Sequence, residues 1–291
     1  MRTRTGRWPL AVVLMAGLLA APTLLMGQAA STETPATKPA TSPTALLRAI
    51  PADATAFVAI RNLKEIDFDV VGIAGQLGFP MGPEGMFPAP LDWLKSELKI
   101  AGGLNESGGV ALVLLNSKDA KTVDDLEDRM VMFIPASDPK ELLKQLNAEE
   151  TKGGVYKFEL MGSPSVAMVK GDFLIATKAP AKAEEGPPAA LAAAAKAEGE
   201  GVIKTMSPDR VAAFAKQDLF IWLNLRTVSD ELRKEITDGL TGLMHKMGGR
   251  GMLPTSQPGG DATDPTQQLK VFLEQGDEVG IGLLVNAKVG L

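Results

Sequence analysis

Cysteine is absent from the 291 residues, which excludes a lipid-modified cysteine, any disulfide staple and all thiol chemistry. Histidine occurs once, at His245, so no site rests on two imidazoles and the paired-histidine zinc signature is ruled out. Aromatic residues make up only 5% of the chain, and of its 3 Trp only Trp93 and Trp222 lie beyond the leader. A stacking platform for sugars or single-stranded nucleic acid is therefore poorly supplied. Positive charge is short too: 30 Lys+Arg stand against 35 Asp+Glu, and without Arg2, Arg4 and Arg7 the balance is 27 against 35, a net charge of −8. Binding to a phosphate backbone needs a positive footprint, so nucleic acid is not an expected partner.

What the chain does have begins at its N-terminus. Arg2, Arg4 and Arg7 precede an uncharged run from Trp8 to Ala30, with small residues at Gly27-Gln28-Ala29 and Gln28-Ala29-Ala30. A basic start, an apolar stretch and a small-residue cleavage site form an export signal over 1–30, which places the mature protein in the periplasm or outside the cell. The alternative is a single uncleaved membrane anchor in the same segment, since an apolar run of about 18 to 20 residues is long enough to span a bilayer; that is the one expected contact with a membrane. Residues 31–44, rich in Ser, Thr, Pro and Ala, read as a flexible spacer.

The folded part contains an internal repeat. Ser42-Pro43 opens the helical pattern Ala45 to Ile50, followed by Asp53 and the strand Ala56 to Arg61; at an offset of 165, Ser207-Pro208 opens Val211 to Phe214, followed by Asp218 and Ile221 to Arg226. Gly85-Met86-Phe87-Pro88 is echoed by Gly251-Met252-Leu253-Pro254, and Val110 to Asn116 by Gly280 to Asn286. The repeated unit reads helix, strand, long helix, Gly/Pro/Met loop, helix, strand. In the second copy the long helix begins at Ser229 and runs through Leu232, Ile236, Leu240, Leu243 and Met247 to the stop at Gly248.

The first copy continues through an acidic turn at Asp124 to Asp128, a strand at Met130 to Ile134, a helix capped at Asp138 with Glu141 in the capping-box position, and three short strands at Val155–Leu160, Ser165–Val169 and Phe173–Thr177. The fold class is thus α+β, a duplicated helix-strand-helix-helix-strand unit with a mainly antiparallel sheet, occupying 45–178 and 202–291. The stretch 179–201, rich in Ala, Pro and Gly, reads as a linker, with a surface helix over its alanines as the alternative. The second copy is the shorter one: its last strand lacks a following hairpin partner, which leaves an edge unpaired, so a longer parent protein is expected, with a genuinely half-sized second unit as the alternative.

The entry Ile50-Pro-Ala-Asp-Ala54 into strand Phe57 to Arg61, then Asn62-Leu63, behind an export signal, resembles uncharacterised exported bacterial proteins of the planctomycete type. The resemblance covers roughly Leu46 to Asn116. It implies export and carries no activity or catalytic residues to transfer.

Each candidate chemistry has a simpler structural explanation. His245 lies at a helix end, where a cation complements the dipole. Ser137-Asp-Pro-Lys140 has the spacing of a Ser/Lys acyl enzyme without its companion motifs, and capping accounts for it. Asp67-Phe-Asp69 and Asp124 to Asp128 lack the ligand number and glycine turn of a calcium site. The Gly248-Gly249-Arg250-Gly251 run follows a helix instead of leading into one, so it does not cradle phosphate. No cofactor or metal is expected. What remains is a pair of equivalent Gly/Pro loops with apolar residues, Phe79, Met81, Met86 and Phe87 in the first copy and Met247, Met252 and Leu253 in the second. Methionine serves adaptable contact surfaces, so these are the candidate binding residues for a protein or an apolar ligand; the alternative is that both loops fold back onto the core, as apolar loop residues often do. The expected function is exported, non-enzymatic binding or scaffolding; a hydrolase using a carboxylate pair or a Ser/Lys site is the alternative.

Overall fold

A computed structural model describes residues 44–79, 81–82, 85, 87–116, 124–180, 186–231, 233–234 and 277–285. In chain order these residues form α1 (Ala45–Ala49), β1 (Ala54–Ile60), α2 (Leu63–Gln76), α3 (Pro90–Leu98), β2 (Val110–Leu115), β3 (Met130–Pro135), α4 (Pro139–Gln145), β4 (Glu149–Glu150), β5 (Tyr156–Leu160), β6 (Ser163–Lys170), β7 (Phe173–Lys178), α5 (Ala189–Lys196), α6 (Pro208–Phe214), β8 (Leu219–Asn224) and β9 (Glu278–Leu283). Short 3-10 turns at Asp124–Arg129, Gly201–Lys204 and Leu225–Thr227 join some of them. The fold is α+β, with the nine strands in one antiparallel sheet ordered β4-β5-β6-β7-β3-β2-β1-β8-β9.

The repeat is built into the centre of that sheet. β1 and its counterpart β8 pair directly and antiparallel, with Phe57 opposite Trp222. Those two residues are each other's equivalents at the 165-residue offset, so a local dyad passes between them, normal to the sheet. Outward from the dyad β1 pairs with β2 and β8 pairs with β9. Each strand alternates sides, so one face carries Phe57, Ala59, Ala111, Val113, Phe133, Ile175, Phe220 and Trp222. These meet Leu46 and Leu47 of α1, Leu191 and Ala194 of α5 and Phe214 of α6 in the main core. Its centre is aromatic: Phe57 stacks on Trp222 with centroids 5.4 Å apart, and Phe214 meets Phe220 edge-on at 5.7 Å. The other face, over β3 and β5 to β7, is covered by Leu142 and Leu143 of α4.

The structure amends three details of the sequence reading. The stretch 179–201 is not only a connection. Its alanines form α5, and Leu191 and Ala194 are completely buried. Lys170, at the end of β6, donates from Nζ to the carbonyls of Ala49 (3.0 Å) and Ala194 (2.9 Å), tying the C-terminal turns of α1 and α5 together. Burial holds the Lys170 ammonium below its ordinary range, against the nearby charge of Glu198. Gly201 has φ +59°, and a Cβ there would lie 2.4 Å from the Arg48 carbonyl oxygen; only glycine lets this segment close onto α1, where Val202 donates to Ile50.

Second, the alignment of Val110–Asn116 with Gly280–Asn286 is three residues out of step. Phe57 pairs with Val113 and Trp222 with Gly280, so Val113 and Gly280 are the equivalent positions. Apolar similarity had outweighed register, and an odd shift reverses which side chains face the core. Third, the capping box at α4 is only half formed. Asp138 accepts from Lys140 N and Glu141 N, but Glu141 turns to accept from Gln145 Nε2 at 2.6 Å, and Asp138 N donates to the Gly103 carbonyl.

Candidate contact surface

The loop singled out in the first copy joins α2 to α3, and its geometry follows from local sequence. Asn62 caps α2, its side chain accepting from Lys64 N at 3.0 Å and Glu65 N at 3.1 Å. The helix turns Leu63 inward, and Ile66, Val70 and Ala74 on the same side are half-buried. It stops at Gly78, whose φ of +79° permits a left-handed cap. Gly78 N donates to Gly75 O and Phe79 N to Ala74 O, the paired bonds of a Schellman stop. The chain therefore leaves the helix at a fixed angle and carries Phe79 outward, 59% exposed.

Beyond it Met81 bridges to Phe87, and Gly82 N donates to the Phe87 carbonyl at 2.8 Å. Phe79, Met81 and Phe87 are thereby brought to one loop; Met81 is half-buried and Phe87 is 49% exposed. Met86 in this loop, and Met247, Met252 and Leu253 in the second, lie outside the described residues, as does His245.

The second helix of the hairpin starts without a cap of its own, because Ala89 has no side-chain acceptor. Asp67 of α2 supplies it, accepting from Leu91 N at 2.7 Å. Asp67 of the Asp67-Phe-Asp69 cluster thus lies on a helix and serves as a cap. Asp67→Ala should loosen α3 and cost about 1 kcal/mol, the usual value of a lost cap, whereas Asp67→Asn should recover most of it. Thermal denaturation of both variants checks this, and equal losses would assign Asp67 a role through charge alone. Pro90 at the first helical position and Asp92 in the first turn complete the start. Lys95 bonds Glu106 at 2.7 Å, and that hydrogen bond raises the ammonium above its usual range.

The hairpin also exposes Leu77, Trp93 and Phe68, at 57%, 39% and 69%, which the sequence reading did not include. Phe68 had a legible signal: it sits between two aspartates, about 100° around α2 from Asp67 and away from Leu63 and Ala74. Trp93 had none, since its spacing within α3 suits burial equally well.

The acidic and nucleophilic groups elsewhere hold structure together. Ser137 Oγ donates to the Leu104 carbonyl at 3.3 Å. Glu127, in the acidic turn, pairs with Lys178 at 2.9 Å. Glu278 accepts from Trp222 Nε1 at 3.0 Å and Ser207 N at 3.3 Å. Burial pushes its carboxyl up, but these bonds and the charge of Arg210 outweigh that and hold it below the ordinary 4.5. Among the described residues no group of three or more His, Asp or Glu is placed to hold a metal ion, and no helix is long and apolar enough to cross a membrane.

No family model matches the chain, and no curated protein is significantly similar to it. A solved structure titled "Structure of crystal form I of TP0453" is similar over 83% of this chain and 93% of that one, at 11% identity and a TM-score of 0.37. A likeness that distant supports neither a shared fold nor a shared function.

Proposed function

We propose that this protein is exported and works by binding, not by turnover: an α+β scaffold of the periplasm or cell envelope whose α2–α3 hairpin offers apolar side chains to a protein or an apolar ligand. The observation that carries this reading is the loop at the hairpin tip. A Schellman stop sets where the chain leaves α2 and Met81 and Gly82 meet Phe87 through the backbone, yet Phe79 and Phe87 are about half exposed. Large apolar side chains gathered in water on one element, here Phe68, Leu77, Phe79, Phe87 and Trp93 of the hairpin, favour a contact site. The export signal fits a role outside the cytoplasm, and the acidic balance of the chain beyond it argues against a nucleic-acid partner.

Photo-crosslinking from these positions tests it. A benzophenone side chain at Phe79 or Phe87, introduced in the native host, is expected to give one discrete adduct, whose mass separates a protein partner from a lipid. The same probe at Lys64, on the solvent side of α2, should give none. Absence of an adduct from both phenylalanine positions, or the same adduct from Lys64, would remove the hairpin as a binding surface. Saturable turnover in a broad hydrolase screen would overturn the non-enzymatic reading in favour of the carboxylate or Ser/Lys alternative.

A further inference from the structure

The α2–α3 hairpin loses its charge toward its tip. Lys64, Glu65, Asp67 and Asp69 stand on the first half of α2, and Asp92, Lys95 and Glu97 on α3. Between them, from Val70 to Leu91, only Gln76 and Glu84 have polar side chains. A surface helix normally turns charged residues to water. Past Asp69 the side of α2 opposite Val70 and Ala74 has Gly72, Gly75 and Gln76 instead. Leu91 N bonds Asp67, so α3 starts level with Asp67, and Leu77 lies about 15 Å farther along α2. The uncharged part thus reaches beyond the start of α3, with Leu77, Phe79 and Phe87 exposed on it and Phe68 exposed at its base.

The backbone of the tip is poor in free donors as well. Pro80, Pro83, Pro88 and Pro90 have no N–H. Gly78 N and Phe79 N are taken up by the Schellman stop, Gly82 N by the Phe87 carbonyl and Gly85 N by the Gly82 carbonyl. An N–H group taken out of water without an acceptor is costly. A protein partner could supply acceptors to such groups, whereas the apolar part of a bilayer supplies none. A loop with so few donors therefore suits lipid.

We infer that the hairpin tip enters the interface of a lipid bilayer, carrying Leu77, Phe79 and Phe87 below the headgroups. This rests on the reading of the hairpin as a contact surface and names what it contacts. Two observations select a bilayer over a protein. A protein interface surrounds its apolar centre with hydrogen-bonding residues, which the tip almost wholly lacks, and its backbone has few donors to offer a partner. At 14 residues α2 is shorter than the about 20 needed to span a bilayer, so the insertion is interfacial, to about 5–10 Å. At that depth the one charge, Glu84, does not have to leave water. The contact is separate from the leader over 1–30. Acids outnumber lysines on α2 and α3, so anionic headgroups are not what attracts the hairpin, and a neutral bilayer suffices.

Vesicles of phosphatidylcholine alone, with brominated acyl chains as fluorescence quenchers, provide the test. In the full chain recovered from its host and carrying Trp93→Phe, Phe79→Trp should be quenched by these vesicles, equally in low and high salt. Lys64→Trp should not be. Trp222 is completely buried and adds a constant background to both. This readout holds whether or not the leader anchors the chain to the vesicle. Adding Phe87→Asp to the Phe79→Trp protein should remove most of the quenching, because a charge resists transfer out of water, and should leave the melting temperature unchanged, because that ring is exposed. Absence of quenching at Phe79→Trp overturns the inference, as does quenching that needs anionic lipid or that Phe87→Asp leaves intact. A protein adduct from the benzophenone at Phe79 without lipid quenching also overturns it, while keeping the hairpin as a contact surface for a protein. Neither adduct nor quenching removes both readings.

Discussion

Trp222→Ala is expected to destabilise the protein by about 3–5 kcal/mol, seen as a fall in melting temperature of roughly 10 °C for a chain of this size. The indole is completely buried on the dyad of the sheet and stacks on Phe57. Its deletion opens a cavity between β1 and β8, where the two copies of the repeat meet, and rigid strands on either side cannot close it. It also removes the Nε1 donor from Glu278. Trp222→Phe separates the two effects: it keeps most of the packing, so its remaining cost, about 1–2 kcal/mol, is that of the lost hydrogen bond to a charged, partly buried carboxylate. A double-mutant cycle with Phe57→Ala should show about 0.5–1.5 kcal/mol of coupling for the stacked pair. A loss below about 1 kcal/mol for Trp222→Ala would mean that the central packing described above is wrong.

Asp218→Ala should rank next, at about 3 kcal/mol. The side chain is only 5% exposed and is engaged by both oxygens: Oδ1 accepts from Arg61 Nη2 at 3.0 Å and Oδ2 from Val285 N at 2.8 Å. Arg61 also donates from Nε to the Gln217 carbonyl and pairs with Glu65, so removing the aspartate leaves a half-buried guanidinium with one anionic partner fewer. The readout that distinguishes this site from general destabilisation is local. Hydrogen exchange at Val285 should accelerate more than at residues of β2 or β3, because the Asp218 carboxylate anchors the chain just past β9. Asp218→Asn keeps an acceptor for Val285 and should preserve that protection while losing part of the stability. Equal acceleration across all strands would refute the anchoring role.

Repeated positions were the part of this fold most legible in sequence. Asp53, Arg61, Asp218 and Arg226 recur at one offset, and the structure pairs Arg61 with Asp218 across β1 and β8, while Arg226 turns to Asp277. The strands β1, β2, β3 and β5 to β8 were also visible, because alternating or continuous apolar runs bounded by turns have few other outcomes. Less legible was anything decided by packing. Alanine is equally at home on a surface helix, in a linker and against a sheet, so Ala189 to Lys196 could not reveal that Leu191 and Ala194 fill the core. The register of β9 was obscured by its glycines. Gly280 and Gly282 carry no hydropathy signal, yet the space above them is taken by Arg210 and Gln217: an added Cβ would lie 2.8 Å from Arg210 Cδ and 2.4 Å from Gln217 Cγ. At the contact surface, apolar composition and Gly/Pro spacing pointed to Phe79, Met81 and Phe87. Which of them face water depended on the Gly78 stop and the long-range cap from Asp67, neither of which spacing encodes.

The place of β1 in the sheet has a consequence for how the chain reaches its native state. One side of β1 is satisfied by β2, about fifty residues on, but the other must wait for β8, 165 residues further along the chain. Closing so long a loop is slow, and until it closes the apolar strand β1 presents a bare edge. During synthesis the first repeat with its β3–β7 extension is complete well before its partner emerges, so it must persist as an unsealed intermediate. Such a species is open to mispairing between neighbouring chains, with β8 of one molecule capping β1 of another. The same contact that gives the mature sheet its symmetric centre thus makes refolding yield strongly dependent on protein concentration.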